Sequence, residues 1–202
     1  MTSSTQRKHL LALARRMGVV TRKDARMAGV HSQVLTRLVR DGALEHIGRG
    51  CYRLREAEVT EHHGLVAATA AVPHGVVCLL SALAFHGVGT QLPHRVWLAI
   101  ERGSRTPQVE WPPLAVVHFS GPAFHEGLEV HHLEGREVQV YGLAKTLADA
   151  FKYRNKIGLD VALEALRDAW QSHRVSLDEL EHYASTCRVD RVIQPYLQSL
   201  VA

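Results

Sequence analysis

Apolar residues at Leu10, Leu11, Leu13, Ala14 and Met17 recur at helical spacing across residues 5–17, and Gly18 stops the run. Thr21 followed three residues later by Asp24 is a variant capping box, which predicts a short helix to Ala28 closed by Gly29. A second start at His31-Ser32 opens another helix to Arg40, ended by Gly42. Its apolar residues are Val34, Leu35, Leu38 and Val39, while Gln33, Thr36, Arg37 and Arg40 share the other face. The β-prone arms 44–47 and 51–54 flank Gly48-Arg49-Gly50, a hairpin signal. Three short helices and a hairpin in so short a span is the layout of a winged helix-turn-helix, with residues 29–32 as its corner.

Beyond Arg55 the pattern changes. Residues 59–72 read as an alanine-rich helix ended at Pro73, and the nearly unbroken apolar run 76–87 as one buried helix. The period then moves towards two at 95–101, 114–119, 128–132 and 137–141, with the last two paired as a hairpin through Gly135. Helical spacing returns at 143–151 and 159–170, then after the capping box Ser176/Glu179, and again at 189–200. The expected fold is α+β: a winged helix-turn-helix over 1–57, then a mixed α/β domain over 58–202 with a small sheet and C-terminal helices.

Charge sharpens the division. The 202 residues carry a net charge of +4, but residues 1–56 carry twelve Lys+Arg against four Asp+Glu. A basic head on a mildly acidic remainder points to a polyanion, here double-stranded DNA. In that reading Gln33 and Arg37 suit base edges, Gln pairing bidentately with adenine and Arg with guanine. Ser32 and Thr36 lie on the same helix, and Arg40, Arg22 and Lys23 suit phosphates. Arg49 at the wing tip would enter a minor groove with Arg53 beside it.

Enzyme signatures are missing from the second part. No Asp lies between Asp41 and Asp149, which removes an Asp-x-Asp metal pair from the strand region, and no carboxylate stands two residues before any lysine. There is no Walker A, G-x-G-x-x-G, G-x-S-x-G or H-E-x-x-H motif, so neither catalysis nor a cofactor nor a metal is expected. His62-His63 and His131-His132 fit hydrogen-bonded or surface histidines better than ligands, because neighbours on a strand point to opposite faces. Cys51, Cys78 and Cys187 are widely spaced and odd in number, which suits reduced thiols. No apolar run is long enough to cross a bilayer, and the N-terminus lacks a secretory apolar core, so a cytoplasmic protein is expected.

The block 145–156 (KTLADAFKYRNK) stands out. Lys145, Asp149 and Lys152 share one helical face, where salt bridging is sufficient explanation. Lys152, Arg154 and Lys156 form a basic end that the helix dipole favours and that could also meet RNA, DNA or an acidic surface.

Three runs, GRGCYRL (48–54), SALAFHG (81–87) and KTLADAFKYRNKIG (145–158), resemble the AbiEi antitoxins of the AbiE abortive-infection, type IV toxin–antitoxin systems of bacteria. The resemblance spans about residues 18–170 and is most specific in the third run. It implies an N-terminal winged helix that represses its own operon at inverted repeats in the promoter. It also implies a C-terminal domain that counteracts a cognate nucleotidyltransferase toxin, a stable complex not being the rule. Carried over, DNA contacts fall on the recognition-helix face and the wing arginine, and Lys145, Asp149, Lys152, Arg154 and Lys156 match the block without having to be contacts. Cys51 stands where Val or Ile is expected, a small change because a buried thiol acts as a small hydrophobe. Two alternatives remain: a plain winged-helix regulator whose second domain senses a ligand or dimerises, and, with less support, an endonuclease.

Overall fold

The first helical run folds as α1 (Ser3–Met17), which buries Leu10, Leu13 and Ala14 and leaves Arg7, Arg15 and Arg16 exposed. In this computed structural model, which describes residues 3–201, α1 leads into β1 (Val19–Thr21), α2 (Arg22–Met27) and α3 (Ser32–Arg40). The wing follows as β2 (Leu44–Gly48) and β3 (Cys51–Leu54), then α4 (His63–Ala71). β1 joins the wing in an antiparallel sheet of order β1-β3-β2, with Val20 and His46 both opposite Tyr52. Leu10 of α1, Ala25 of α2, Leu35 and Leu38 of α3, Leu44 and Tyr52 make one buried cluster. Burial of the leucines among them, at roughly 1.5–3 kcal/mol each, holds so short a bundle together.

The rest of the chain forms β4 (Val76–Val77), α5 (Leu79–His86), β5 (Val96–Glu101), β6 (Leu114–Phe119), α6 (Pro122–His125), β7 (Leu128–Leu133) and β8 (Arg136–Tyr141). After these come α7 (Leu143–Lys152), α8 (Arg154–Ile157), α9 (Leu159–Gln171), α10 (Leu177–Cys187) and α11 (Asp190–Val201). The five-stranded sheet has the order β6-β5-β4-β8-β7; β4 pairs antiparallel with β5 and parallel with β8. α7 is buried over Leu143–Phe151 and shares a core with α5, α9, α10 and α11. The fold is α+β, with a winged helix-turn-helix at its start. Among the described residues no helix is long and apolar enough to cross a membrane.

Two compact units emerge. One holds the chain up to His74 together with Pro107–Leu114 and Val130–Val138; the other holds Gly75–Thr106, Ala115–Glu129 and the chain from Gln139 onward. The unit that contains the winged helix therefore also contains α4 and the tip of the β7–β8 hairpin. That tip is held on several atoms. Arg136 Nη1 donates to the Val19 carbonyl at 2.7 Å and to Asp24 Oδ2 at 2.9 Å. Glu134 accepts from the Thr60 N–H at 3.1 Å and hydroxyl at 2.7 Å, and its other oxygen lies 2.8 Å from His63 Nδ1. Between them Gly135 takes a positive φ in the turn, and a Cβ there would overlap the Arg16 carbonyl. Glycine is what lets the turn lie this close to the end of α1.

The run 76–87 is not one helix. Val76 and Val77 form the central strand, Cys78 takes the N-cap position, and α5 begins at Leu79. A buried strand and a buried helix both read as continuous apolar sequence, and two residues are too few to show a period. The helix expected over 59–72 occupies His63–Ala71 only.

Candidate nucleic-acid interface

The helix-turn-helix starts from a cap. The Thr21 hydroxyl accepts from the Asp24 N–H at 3.1 Å, and Asp24 Oδ2 accepts from the Thr21 N–H at 2.8 Å, which completes the predicted capping box. Burial works to raise the Asp24 carboxyl, but hydrogen bonds from Arg136 and Thr21 outweigh it and hold Asp24 below the usual carboxylate range. At the next helix His31 is the N-cap, its ring accepting from the Gln33 N–H at 3.4 Å. Two glycines, Gly29 and Gly42, bracket α3.

α3 divides cleanly. Val34, Leu35 and Leu38 are buried, and Ser32, Gln33, Thr36, Arg37 and Arg40 are exposed along the opposite side. The face carries no carboxylate; Asp41, just after the helix, lies 3.7 Å from Arg40 Nε at the surface. Arg22 and Lys23, at the start of α2, are exposed, and Arg22 Nε donates to the Tyr52 hydroxyl at 3.1 Å, tying α2 to the wing strand. Arg49 is exposed at the wing tip. Arg53 differs from the others: it is half-buried and paired with Glu45 across the hairpin, so part of its charge is neutralised within the wing. Cys51 is buried, and burial pushes its thiol up, as suits a small hydrophobe.

The block 145–156 is arranged differently. Lys145 and Asp149 are wholly buried, with Lys145 Nζ 2.5 Å from Asp149 Oδ2. The ammonium also sits 4.2 Å from the Tyr141 ring centre and 4.9 Å from that of Phe119. The other Asp149 oxygen accepts from the Cys187 thiol at 3.2 Å. Burial pushes the Asp149 carboxyl up against the opposing pull of Lys145, and pushes the Cys187 thiol to about 12. Lys152 Nζ donates to the Cys187 carbonyl at 2.9 Å, and Arg154 Nη1 to the Phe151 carbonyl at 2.9 Å. Lys156 lies over the Tyr153 ring at 5.5 Å. The structure thus places Lys145 and Asp149 inside the helical core, with Lys152 and Lys156 exposed and Arg154 half-buried at its edge.

Sequence reasoning missed Arg136, which supports the helix-turn-helix, and Glu134, which holds Thr60 and the start of α4, both from a hairpin far along the chain. No local pattern marks them. Among the described residues, no three His, Cys, Asp or Glu side chains converge as a metal site would require.

Comparison with known proteins agrees with this geometry. The chain resembles the crystal structure of the RV2827C protein from Mycobacterium tuberculosis, with a TM-score of 0.61 and 16% identity over 94% of this chain and 76% of that one. At that identity the likeness is one of fold. No curated protein matches the chain. Residues 9–55, the span from α1 to the end of the wing, match the family described as transcriptional regulator, AbiEi antitoxin, a description of a regulator and not of an enzyme.

Proposed function

We propose that this protein is the antitoxin and autoregulator of a type IV, AbiE-like toxin–antitoxin system. Its winged helix binds inverted repeats in its own promoter, and its second part counteracts a cognate nucleotidyltransferase toxin without forming an obligatory complex. The observation that carries the DNA half is the α3 face, on which Ser32, Gln33, Thr36, Arg37 and Arg40 are exposed together with no acid among them. Gln33 and Arg37 read base edges; Arg40, Arg22 and Lys23 hold phosphates; Arg49 reaches a minor groove. Arg53, paired with Glu45, lends less charge. A protein acting on its own promoter works in the cytoplasm.

The antitoxin half rests on the resemblance of the 145–158 run. Lys145 and Asp149 serve that half by holding α7 in its core, and Lys152, Arg154 and Lys156 remain as surface candidates for the antitoxin contact. A plain regulator is the second reading, favoured by a family match confined to residues 9–55.

Fluorescence anisotropy decides the first half. The full chain is titrated onto the duplex directly upstream of its own coding sequence and onto a scrambled duplex, at two salt concentrations. Sequence-selective binding is expected; equal, weak binding to both duplexes would defeat the autoregulator reading. Co-expression with the toxin gene next to it then separates antitoxin from plain regulator by rescue of growth.

A further inference from the structure

α1 carries an unusual balance of charge. Its fifteen residues hold Arg7, Lys8, Arg15 and Arg16 and no carboxylate, and the first turn of the helix contains no acid. α3 likewise contains no acid. Solvated helices ordinarily intersperse both signs, because like charges along one surface repel. Twenty-four residues in two packed helices without one acid make a surface suited to an anion.

The four cations of α1 are not equivalent. Ser4, Arg7 and Leu11 recur along one flank of the helix, beside its buried stripe. There Ser4 and Arg7 line a groove of about 260 Å³ together with Val34, Arg37 and Leu38 of α3. Arg7 and Arg37 are both exposed and share the walls of this groove, whose floor is apolar. Lys8, the next residue, is exposed and takes no part in the groove. Further along, Gln6 Nε2 donates to the Gly29 carbonyl at 3.4 Å, fastening this end of α1 to the corner of the helix-turn-helix. The positive end of the α1 dipole lies over the same region.

We infer that Arg7 and Arg37 together hold a backbone phosphodiester of bound DNA, so that the N-terminal half of α1 is a phosphate-contacting element flanking the recognition helix. Planar guanidinium forks on two walls can offer paired N–H donors to phosphate oxygens, which an ammonium cannot match. The inference rests on the DNA reading above and moves Arg37 in it from a base edge to the backbone, a contact that carries affinity and register but no sequence information.

The test compares Arg7→Ala, Arg7→Lys, Lys8→Ala and Arg37→Ala in the full chain by anisotropy, on the upstream duplex and a scrambled duplex across a salt series. Circular dichroism confirms the fold of each variant. Arg7→Ala is expected to weaken binding to both duplexes by the same factor and to flatten the slope of log affinity against log salt by about 1. Arg7→Lys should recover part of the loss. Lys8→Ala, which removes the same charge one residue away, should cost clearly less. Equal losses for Arg7→Ala and Lys8→Ala mean a diffuse field and overturn the clamp, as does unchanged binding for Arg7→Ala while Arg37→Ala weakens it. If the unmodified chain binds neither duplex, the DNA reading itself fails and the clamp with it.

Discussion

Arg136 and the capping acid Asp24 meet at one oxygen: Asp24 Oδ2 lies 2.9 Å from Arg136 Nη1 and also accepts from the Thr21 N–H and hydroxyl at 2.8 Å each. A residue of the β7–β8 hairpin thereby completes the cap of the helix that positions α3. Both side chains are more than four-fifths buried, so neither finds water readily if the other is lost. Arg136→Ala is expected to lower stability by about 1–3 kcal/mol, the cost of taking the charged donor from a buried carboxylate. A urea midpoint unchanged from the parent would show the contact to be idle. By the same reasoning a fragment ending near residue 57 should bind DNA only weakly, since it lacks Arg136, Glu134 and α4.

Acid should loosen this brace first. Asp24 and Glu134 are both held below the usual carboxylate range: burial opposes it, but hydrogen bonds from Arg136 and Thr21, and from His63 and Thr60, prevail. A carboxyl depressed in the folded state stabilises the fold above its unfolded pKa, near ~4, and that contribution is lost as pH falls through the folded value. Chemical denaturation from pH 7 downward should therefore show a decline setting in below about pH 5 that is shallower in Glu134→Gln. A parallel decline in parent and variant would remove Glu134 from the account.

How much of this was legible depends on the range of each interaction. Thr21/Asp24 and Ser176/Glu179 both close as capping boxes because three-residue spacing is local and the chemistry is reciprocal. The split of α3 into Val34, Leu35 and Leu38 against Gln33, Thr36 and Arg37 follows from period alone. Val76-Val77 was hidden by shortness, and Arg136 by distance along the chain. The i, i+4 spacing of Lys145 and Asp149 revealed the pair but not its burial, because an exposed pair has the same spacing. The apolar residues on every side, Leu143, Ala144, Leu147, Ala148, Ala150 and Phe151, were the available hint that α7 is enclosed all round.

That enclosure makes Lys145 and Asp149 a stability pair. Removing one member leaves an ionisable group unpaired in a site closed to solvent, so Lys145→Met or Asp149→Leu alone should cost about 3–5 kcal/mol. The double variant should recover much of the loss, because two apolar side chains need no partner. Urea denaturation of the three variants gives the coupling directly. Additive losses would mean that the two residues act independently. Toxin rescue by a folded double variant would further separate this pair from any antitoxin contact.

The recognition face makes the most discriminating prediction. Gln33, at the exposed start of α3, has an amide that matches adenine, whereas Arg40 lies at the far end beside Asp41. Gln33→Ala should shrink the preference for the upstream duplex over a scrambled one, by about 1–3 kcal/mol for a lost bidentate pair, with the salt slope unchanged. Arg40→Ala should weaken both duplexes equally and flatten the slope by about 1. Arg37→Ala and Arg49→Ala should each weaken binding to the upstream duplex; a flatter slope in either assigns that residue to phosphate, and an unchanged slope assigns it to a base edge. If Gln33→Ala and Arg37→Ala both leave selectivity and affinity intact, α3 does not lie in the major groove. The exposed Arg22, Lys23 and Arg49 would then still offer a basic surface to DNA.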